Sequence, residues 1–164
     1  TQLSKLSETR NLDVLINNAG TYEHSPFLDS CANNFKKIID VNLIAVMELT
    51  HKIFPIFQQK RSGLIININS IAGKEGGDRE YAYSASKHGL SGFSKSLQFD
   101  ATQHNIRVMD IYLGAMDTHM IKERKLVGEP IMTSDVAHLI FDVSKDYKSM
   151  RITEIHLYRR IYSI

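Results

Sequence analysis

The apolar residues of the chain follow two spacings, one typical of buried strands and one typical of helices. Four short segments are either continuously apolar or strictly alternating, which predicts strands: LDVLINNAG, GLIININS, IRVMDIYLG and TEIHLYR. The first three lead into polar or glycine-bearing segments, namely NNAG, NSIAG and LGAMDT. Strands this apolar are typical of a parallel sheet buried on both faces.

Between these segments the apolar spacing changes to three, four and seven residues, which predicts amphipathic helices. Residues 30–60 predict one long helix or two helices stacked end to end, with Pro55 as a kink or late break. Another helix is predicted over residues 81–104. A further helix begins in TSDVAHLIFDVSKD, where Thr133 or Ser134 is expected to cap the N-terminus.

The alternation of strands and helices predicts an α/β fold in which helices cover both faces of a parallel sheet. A length of 164 residues suits a single domain, 1–164. Ligands of such sheets bind beyond the carboxyl ends of the strands. The segments NNAG, NSIAG and LGAMDT are therefore expected to meet at one edge and form the site.

Composition and charge exclude several classes of function. Apolar residues make up 43% and charged residues 23% of the chain, as in soluble globular proteins. The net charge of +2 is too small to predict binding to nucleic acid or to an anionic membrane. No apolar segment reaches the roughly 18 residues that span a bilayer. A single cysteine, Cys31, excludes a cysteine-rich zinc site and predicts a reducing, cytoplasmic location.

The segment YSASK places Tyr83 and Lys87 four residues apart, on one face of a predicted helix. A free tyrosine has a pKa near 10, but a cation within about 4–6 Å lowers that pKa. Ser70, at the end of GLIININS, can donate a hydrogen bond to a substrate oxygen with which Tyr83 exchanges a proton. An isolated Tyr-x-x-x-Lys pair is more often an ordinary solvated helix face, so other motifs must support this interpretation.

Three other motifs accompany YSASK in a characteristic order: NNAG (residues 17–20), DVN (residues 40–42) and NSIAG, which contains Ser70. Together the four motifs resemble the short-chain dehydrogenase/reductase family, from Leu12 to about Arg159. The resemblance implies a three-layer, Rossmann-type, doubly wound parallel sheet, represented here by its C-terminal portion. It also implies an NAD(P)-dependent oxidoreductase that interconverts a carbonyl and an alcohol by hydride transfer.

The resemblance assigns four catalytic roles. Tyr83 is implied to be the general acid/base, and Lys87 to bind the nicotinamide ribose and lower the tyrosine pKa. Ser70 is implied to orient and polarise the substrate carbonyl. Asn42 is implied to hold a water molecule that links Lys87 to solvent, and it also stands where a helix kink is expected.

Further residues are implied to contact the cofactor, which is NAD or NADP. Asn18, Ala19 and Gly20 correspond to the adenosine side of the cofactor, and Gly20 allows a close approach of the backbone. Met116 and Thr118 correspond to the loop that meets the nicotinamide carboxamide. Before Gly114 of this loop, Leu113 replaces the proline that is usual in the family, which predicts a less rigid loop.

The family begins with a strand and a TGxxxGxG turn whose amides receive the pyrophosphate, and none of the nine glycines here forms that pattern. We therefore expect a catalytic portion that is active only together with a missing N-terminal part. Family members pair two long helices across a two-fold axis, which implies a homodimer or homotetramer. The implied substrate is a small carbonyl compound or alcohol.

Two alternatives remain open from the sequence. One is a non-catalytic or truncated relative that binds a nucleotide or a partner. The intact set of Asn42, Ser70, Tyr83 and Lys87 argues against it, because a binding module needs no proton donor. The other is an epimerase or dehydratase of the extended branch, which shares Tyr-x-x-x-Lys. The motif NNAG and the short segment after Thr118 argue against that branch.

Overall fold

Four parallel strands form the centre of the computed structural model, which describes residues 12–121, 128–145 and 149–160. The strands pair in chain order and are β1 (Val14–Asn17), β2 (Gly63–Ser70), β3 (Ile106–Leu113) and β4 (Glu154–Leu157). Each lies within a segment that the apolar pattern predicts as a strand. The α/β expectation is therefore confirmed.

Helices cover both faces of the sheet because successive side chains of each strand point to opposite sides. On one face, apolar side chains of β2 and β3 pack against α4 (Thr133–Ser144): Leu64, Ile66, Met109, Ile111, Val136 and Val143. On the other face, side chains of β2 and β3 pack against α2 (Ala45–Lys60) and α3 (Tyr81–Gln103): Ile53, Phe57, Ile65, Ala101, Ile106 and Val108. Each fully buried aliphatic side chain contributes about 1.5–3 kcal/mol, so both layers hold the helices firmly on the sheet.

The first helical segment contains an irregular turn at one of the two positions that the sequence analysis singles out. Helix α1 (Ala32–Ile39) continues through a π-helical turn (Asp40–Ile44) into α2. Pro55 lies inside α2, which runs on to Lys60 and ends where Arg61 adopts a left-handed conformation with φ 52°. The expected break at Pro55 is therefore wrong, whereas the irregular turn is centred on Asn42, where the sequence analysis also expects a kink.

The expected cap of α4 is also wrong. Met132 occupies the N-cap position without a side-chain hydrogen bond, and Thr133 is the first helical residue. Asp135 does lie in the first turn, where a carboxylate interacts favourably with the helix dipole. Helix α4 is therefore held in place chiefly by its apolar contacts with the sheet.

Strand β1 is an edge of the sheet within the part of the chain that the structure describes. It pairs with β2 on one side, and Ile16 is exposed. An apolar strand with an open edge favours pairing with further strands. Among the residues that the structure describes, each helix is too short or too polar to span a bilayer.

Candidate functional site

A cleft of about 680 Å³ lies at the carboxyl ends of the strands. Its walls come from the loops that follow β1, β2 and β3, together with the first turns of α3. The segments NNAG, NSIAG and LGAMDT thus meet at one edge of the sheet, as their positions after parallel strands predict. The volume lies within the range of pockets for small molecules and cofactors.

Most of the predicted site residues line this cleft. They are Asn18, Gly20, Ser70, Tyr83, Lys87, Met116 and Thr118. Ala19 is exposed in the loop between two of them, and Asn42 is buried among the helices. The structure therefore brings the sequence motifs together, although the roles assigned to them stay predictions.

Lys87 lies buried beside Tyr83, one helical turn away. Its Nζ donates a hydrogen bond of 2.8 Å to the Ile68 carbonyl and stands 5.8 Å from the centroid of the Tyr83 ring. Burial lowers the pKa of Lys87 to about 8, while the negative charge of Asp110 acts in the opposite direction. At neutral pH most of the lysine is still protonated, so the cleft contains a cation next to the tyrosine.

The ring of Tyr83 packs edge-on against Tyr22, a residue that the sequence analysis does not single out. The two ring centroids are 5.1 Å apart and the ring planes meet at 85°. The Tyr22 hydroxyl donates to Oε1 of the buried Glu80 over 3.1 Å. Edge-to-face pairs of this kind stabilise by about 0.5–1.5 kcal/mol beyond their burial, so Tyr22 and Glu80 restrict the orientation of the Tyr83 ring.

Asn42 connects the loop after β1 to helix α3. Its Oδ1 accepts a hydrogen bond from the Thr21 N–H over 2.8 Å, and its Nδ2 donates to the Thr21 carbonyl over 2.9 Å. Nδ2 also lies 3.1 Å from Ser86 Oγ, and Ser86 donates in turn to the Tyr83 carbonyl. The buried amide therefore fixes the helix turn that carries Tyr83, and the water relay implied by the family stays a prediction.

Ser70 is oriented by two hydrogen bonds at the end of β2. Its backbone N–H donates to Asn69 Oδ1 over 2.8 Å, and its Oγ accepts from the Ala72 N–H over 3.2 Å. Because Oγ accepts this bond, its hydroxyl proton can be donated to an oxygen of a ligand in the cleft. The geometry suits the polarising role that the resemblance implies.

The loop after β3 is tied to its neighbours despite the leucine at the usual proline position. Leu113 is buried in the apolar layer against α4. The Gly114 N–H donates to the Leu157 carbonyl, and Ala115 and Asp117 exchange backbone hydrogen bonds with Ile131. These bonds restrain the loop, and the effect of leucine on its rigidity stays a prediction.

Gly73 allows a close approach that the sequence analysis missed. It ends the 3₁₀ turn Ile71–Gly73, which packs on α3. A Cβ at this position would lie 2.8 Å from Asn69 Oδ1 and 2.9 Å from both the backbone carbon and the Cβ of Lys87. The glycine therefore lets the turn after Ser70 lie directly against the backbone of Lys87.

Replacing Gly73 by alanine is expected to destabilise the protein by roughly 1–3 kcal/mol, because the added methyl group overpacks this contact. Chemical denaturation measures the change. Gly92→Ala is the matched control: it lies inside α3, and within one protomer an added Cβ meets no atom within 4 Å beyond its own helix. That variant should be more stable by about 0.5–1 kcal/mol. Equal stability changes in the two variants would contradict the contact at Gly73.

Among the described residues, no group of three or more histidine, cysteine, aspartate or glutamate side chains is placed to bind a metal ion. Beside Glu75, Glu80 and His119, the lining of the cleft places the hydroxyls of Ser70 and Tyr83 close to the buried Lys87 ammonium. This set suits proton transfer and hydrogen bonding to an oxygen.

Comparison with known proteins places the chain in a family. A family model described as short chain dehydrogenase matches residues 4–126. Nodulation protein G of Rhizobium meliloti is 33% identical over 151 residues, which cover 83% of this chain and 62% of the relative. A 3-oxoacyl-[acyl-carrier-protein] reductase, FabG of Chlamydia muridarum, is 36% identical over 117 residues, which cover 71% of this chain and 47% of the relative. The chain thus spans about half to two thirds of the length of these relatives.

Solved structures agree with this assignment. A 4-hydroxyisoleucine dehydrogenase complexed with NADH has a TM-score of 0.82 and 29% identity, covering 95% of this chain and 72% of that one. Serine dehydrogenase from Escherichia coli has a TM-score of 0.81 and 27% identity, covering 94% and 67%. ElxO with NADP bound has a TM-score of 0.83 at 21% identity, which shows the shared fold. By its sequence and its fold, the chain belongs to the short-chain dehydrogenase/reductase family of oxidoreductases.

Proposed function

We propose that the full-length protein is an NAD(P)-dependent oxidoreductase that interconverts a carbonyl compound and an alcohol. The observation that carries the proposal is the convergence of Ser70, Tyr83 and Lys87 in one cleft, with the lysine ammonium 5.8 Å from the tyrosine ring. Membership of the family and the NADH- and NADP-bound structural relatives support a nicotinamide cofactor. They do not distinguish NAD from NADP.

The residues of the cleft fit parts of a dinucleotide cofactor other than its pyrophosphate. Gly20 and Gly114 line it without side chains, so a ligand can approach the backbone closely. We assign the adenosine side to Asn18, Ala19 and Gly20, and the carboxamide side to Met116 and Thr118. The Lys87 ammonium would hydrogen-bond the nicotinamide ribose. When bound, the nicotinamide supplies the hydride to a carbonyl carbon or accepts it from an alcohol.

The protein's own groups handle the substrate oxygen and its proton. Ser70 Oγ donates a hydrogen bond to the carbonyl oxygen and so stabilises the negative charge that develops there during reduction. Tyr83 transfers its hydroxyl proton to that oxygen, which gives the alcohol and leaves a phenolate. The Lys87 ammonium favours the phenolate electrostatically and lowers the tyrosine pKa. In the direction of oxidation, the phenolate accepts the proton from the alcohol.

To test this function, the full-length protein is mixed with NADH or NADPH and a panel of ketones, ketoacids and aldehydes, and the absorbance of the reduced cofactor is followed. Carbonyl-dependent oxidation of one cofactor is the expected result. Cofactor binding in calorimetry without turnover on any member of the panel would favour the non-catalytic relative instead. An epimerase or dehydratase of the extended branch would convert a substrate without net change in the cofactor.

We also propose that the protein assembles as a homodimer or homotetramer through α2 and α3. Apolar residues of α3, of α2 and of the π-helical turn before α2 are exposed to solvent: Phe99 by 77%, Met47 by 38% and Ile44 by 40%. Burying such side chains in an interface between copies removes apolar area from water. Light scattering on the full-length protein should give the mass of a dimer or tetramer.

Phe99→Glu should shift this assembly towards the monomer, because the carboxylate would be desolvated in the interface. Leu28→Glu is the control, since Leu28 is an exposed apolar residue outside α2 and α3. It should leave the mass unchanged. A strictly monomeric wild-type protein would contradict the proposed assembly.

A further inference from the structure

A row of polar side chains crosses the sheet beneath helix α3. The strand register aligns Asn17, Asn67, Asp110 and Glu154 across all four strands. Asn17 Nδ2 donates to Asn67 Oδ1 over 2.7 Å, and Asn67 Nδ2 donates to Asp110 Oδ1 over 3.2 Å. The same face is apolar nearer the amino ends of the strands, so the polar row lies where the sheet approaches the cleft.

Asp110 is the buried carboxylate of this row, with only 2% of its surface exposed. Besides Asn67, three groups donate to it: Ser94 Oγ over 2.6 Å, Asn69 Nδ2 over 3.2 Å and the Tyr112 hydroxyl over 3.1 Å. Burial raises the pKa of this carboxyl, and the four donors oppose that rise. Four donors directed at two oxygens suit the ionised form, because a carboxylate only accepts hydrogen bonds.

One of these bonds leads directly to Ser70. Asn69 donates from Nδ2 to Asp110 Oδ2, while its Oδ1 accepts the Ser70 N–H over 2.8 Å. Asp110 therefore determines which end of the Asn69 amide faces Ser70. An amide turned the other way would place an NH₂ group against the Ser70 N–H and lose both bonds.

Asp110 also acts on Lys87. The ammonium of Lys87 binds the carbonyl of Ile68, the residue before Asn69, and is buried on the same side of the sheet. Burial favours loss of its proton, and the negative charge of Asp110 opposes that loss. The carboxylate thus lies behind both the serine and the lysine of the cleft without lining the cleft itself.

We propose that Asp110 is a positioning residue: its carboxylate orients Asn69 and thereby Ser70, and its buried negative charge favours the protonated form of Lys87. This inference rests on the proposed oxidoreductase function. It adds to the catalytic set a residue that touches neither substrate nor cofactor.

Other titratable groups approach the same network from every neighbouring element. Lys87 faces it from α3, Tyr112 lies on the same strand as Asp110, and Glu154 lies on β4. His156, also on β4, stands 3.4 Å from Glu154 and packs against the Tyr112 ring. Lys74, in the turn after β2, binds Glu154 over 2.9 Å, and Lys95 of α3 stands 3.6 Å from it. These groups are present in both the wild type and a variant of Asp110, so a difference between the two pH profiles reports the loss of the Asp110 carboxylate.

The test replaces Asp110 by asparagine in the full-length protein and measures kcat against pH. Without the carboxylate, the alkaline limb of the profile should move to lower pH by about one unit, because Lys87 loses its proton more easily. We expect kcat at neutral pH to fall by about tenfold, on the order of a weakened general acid–base step, with little change in the KM for cofactor. Ser94→Ala, which removes one donor but keeps the charge, should leave the alkaline limb in place.

A second readout is independent of turnover. Lysine labelled with ¹³C at Cε reports the protonation of Lys87 by NMR, with the signal assigned by Lys87→Arg. Its titration should move to lower pH in Asp110→Asn. A wild-type protein that reduces no carbonyl would refute the proposed function, while this titration would still test the coupling between Asp110 and Lys87.

If Asp110→Asn does not fold, Asn69→Ser tests the other half of the inference. It removes the amide that joins Asp110 to Ser70 and should lower kcat by about tenfold with the KM for cofactor unchanged. An unchanged Lys87 titration in Asp110→Asn would overturn the inference. A kcat within twofold of wild type in Asn69→Ser would equally overturn it.

Discussion

Tyr83→Phe in the full-length protein is expected to lower kcat by at least about 100-fold, the usual contribution of a general acid–base group. The substitution removes only the hydroxyl that we propose exchanges a proton with the substrate oxygen. The remaining ring can keep its edge-to-face contact with Tyr22, so the cleft should retain its shape. Steady-state kinetics together with calorimetric cofactor binding separates the two effects: turnover falls and cofactor affinity persists.

A matched control lies two residues earlier on the same helix. Tyr81 is exposed and contacts Phe27 instead of the cleft, so Tyr81→Phe makes the same chemical change away from the site. It should retain wild-type kinetics. Wild-type turnover in Tyr83→Phe would refute its role as the general acid/base.

Lys87→Met is expected to lower kcat/KM by at least about 100-fold, because it removes both the cation beside Tyr83 and the proposed ribose contact. Cofactor affinity should fall as well, which distinguishes this variant from Tyr83→Phe. Methionine has a similar length and can remain buried, so a loss of activity would not reflect an empty cavity. Kinetics and calorimetry on the two variants side by side measure the difference.

The same variant should also change how stability depends on pH. The pKa of Lys87 is about 8 in the folded protein, against its usual 10.5. Between these two values the unfolded chain binds more protons than the folded one, so stability rises as the pH rises. Below about pH 8 the cost of burying the cation is present in full, on the order of 3 kcal/mol at 1.36 kcal/mol per pKa unit. Denaturation at several pH values should show this rise in wild type.

Lys87→Met should lack that rise from about pH 8 to 10.5, because methionine has no proton to lose. Lys36→Met is the control: its side chain is 75% exposed, so it should keep the wild-type dependence on pH. Identical pH profiles for wild type and Lys87→Met would show that burial of Lys87 does not disfavour its charged form.

The positions of the strands and the edge that carries the site could be predicted from the sequence. Strand β2 shows why: LIININS alternates in type, and its even and odd residues do pack on opposite faces of the sheet. The local spacing of apolar residues predicts the strands because successive side chains of a strand point to opposite faces, and each face selects the residue type that suits its burial. The order of the motifs likewise identifies the loops at the carboxyl edge, since parallel strands all end there.

The course of the helix through Pro55 was decided by tertiary contacts, which the local spacing of residues does not reveal. Pro55 predicts a break, yet α2 continues past it, because packing of Ile53 and Phe57 on the sheet keeps the segment helical. The irregular turn lies at Asn42, where the sequence does predict a kink, and there the Asn42 side chain binds Thr21, 21 residues earlier in the chain. The conformational preference of a single residue is weak compared with such tertiary packing and hydrogen bonds.

The support of the site was decided by tertiary structure alone. In the sequence, Asp110 is a single acidic residue within an apolar strand. Asp110 and Tyr112 are two residues apart and so share one face of the strand, which is a signal that a search for buried polar groups could have found. Its partner Asn69 is 41 residues away, and Tyr22 and Glu80 are 58 residues apart. Gly73 is needed because the backbone of Lys87 approaches it from another element. The sequence by itself predicts which groups carry the chemistry, because each motif is local. Only the fold decided which groups orient them, because neighbouring strands and helices bring together residues that are distant along the chain.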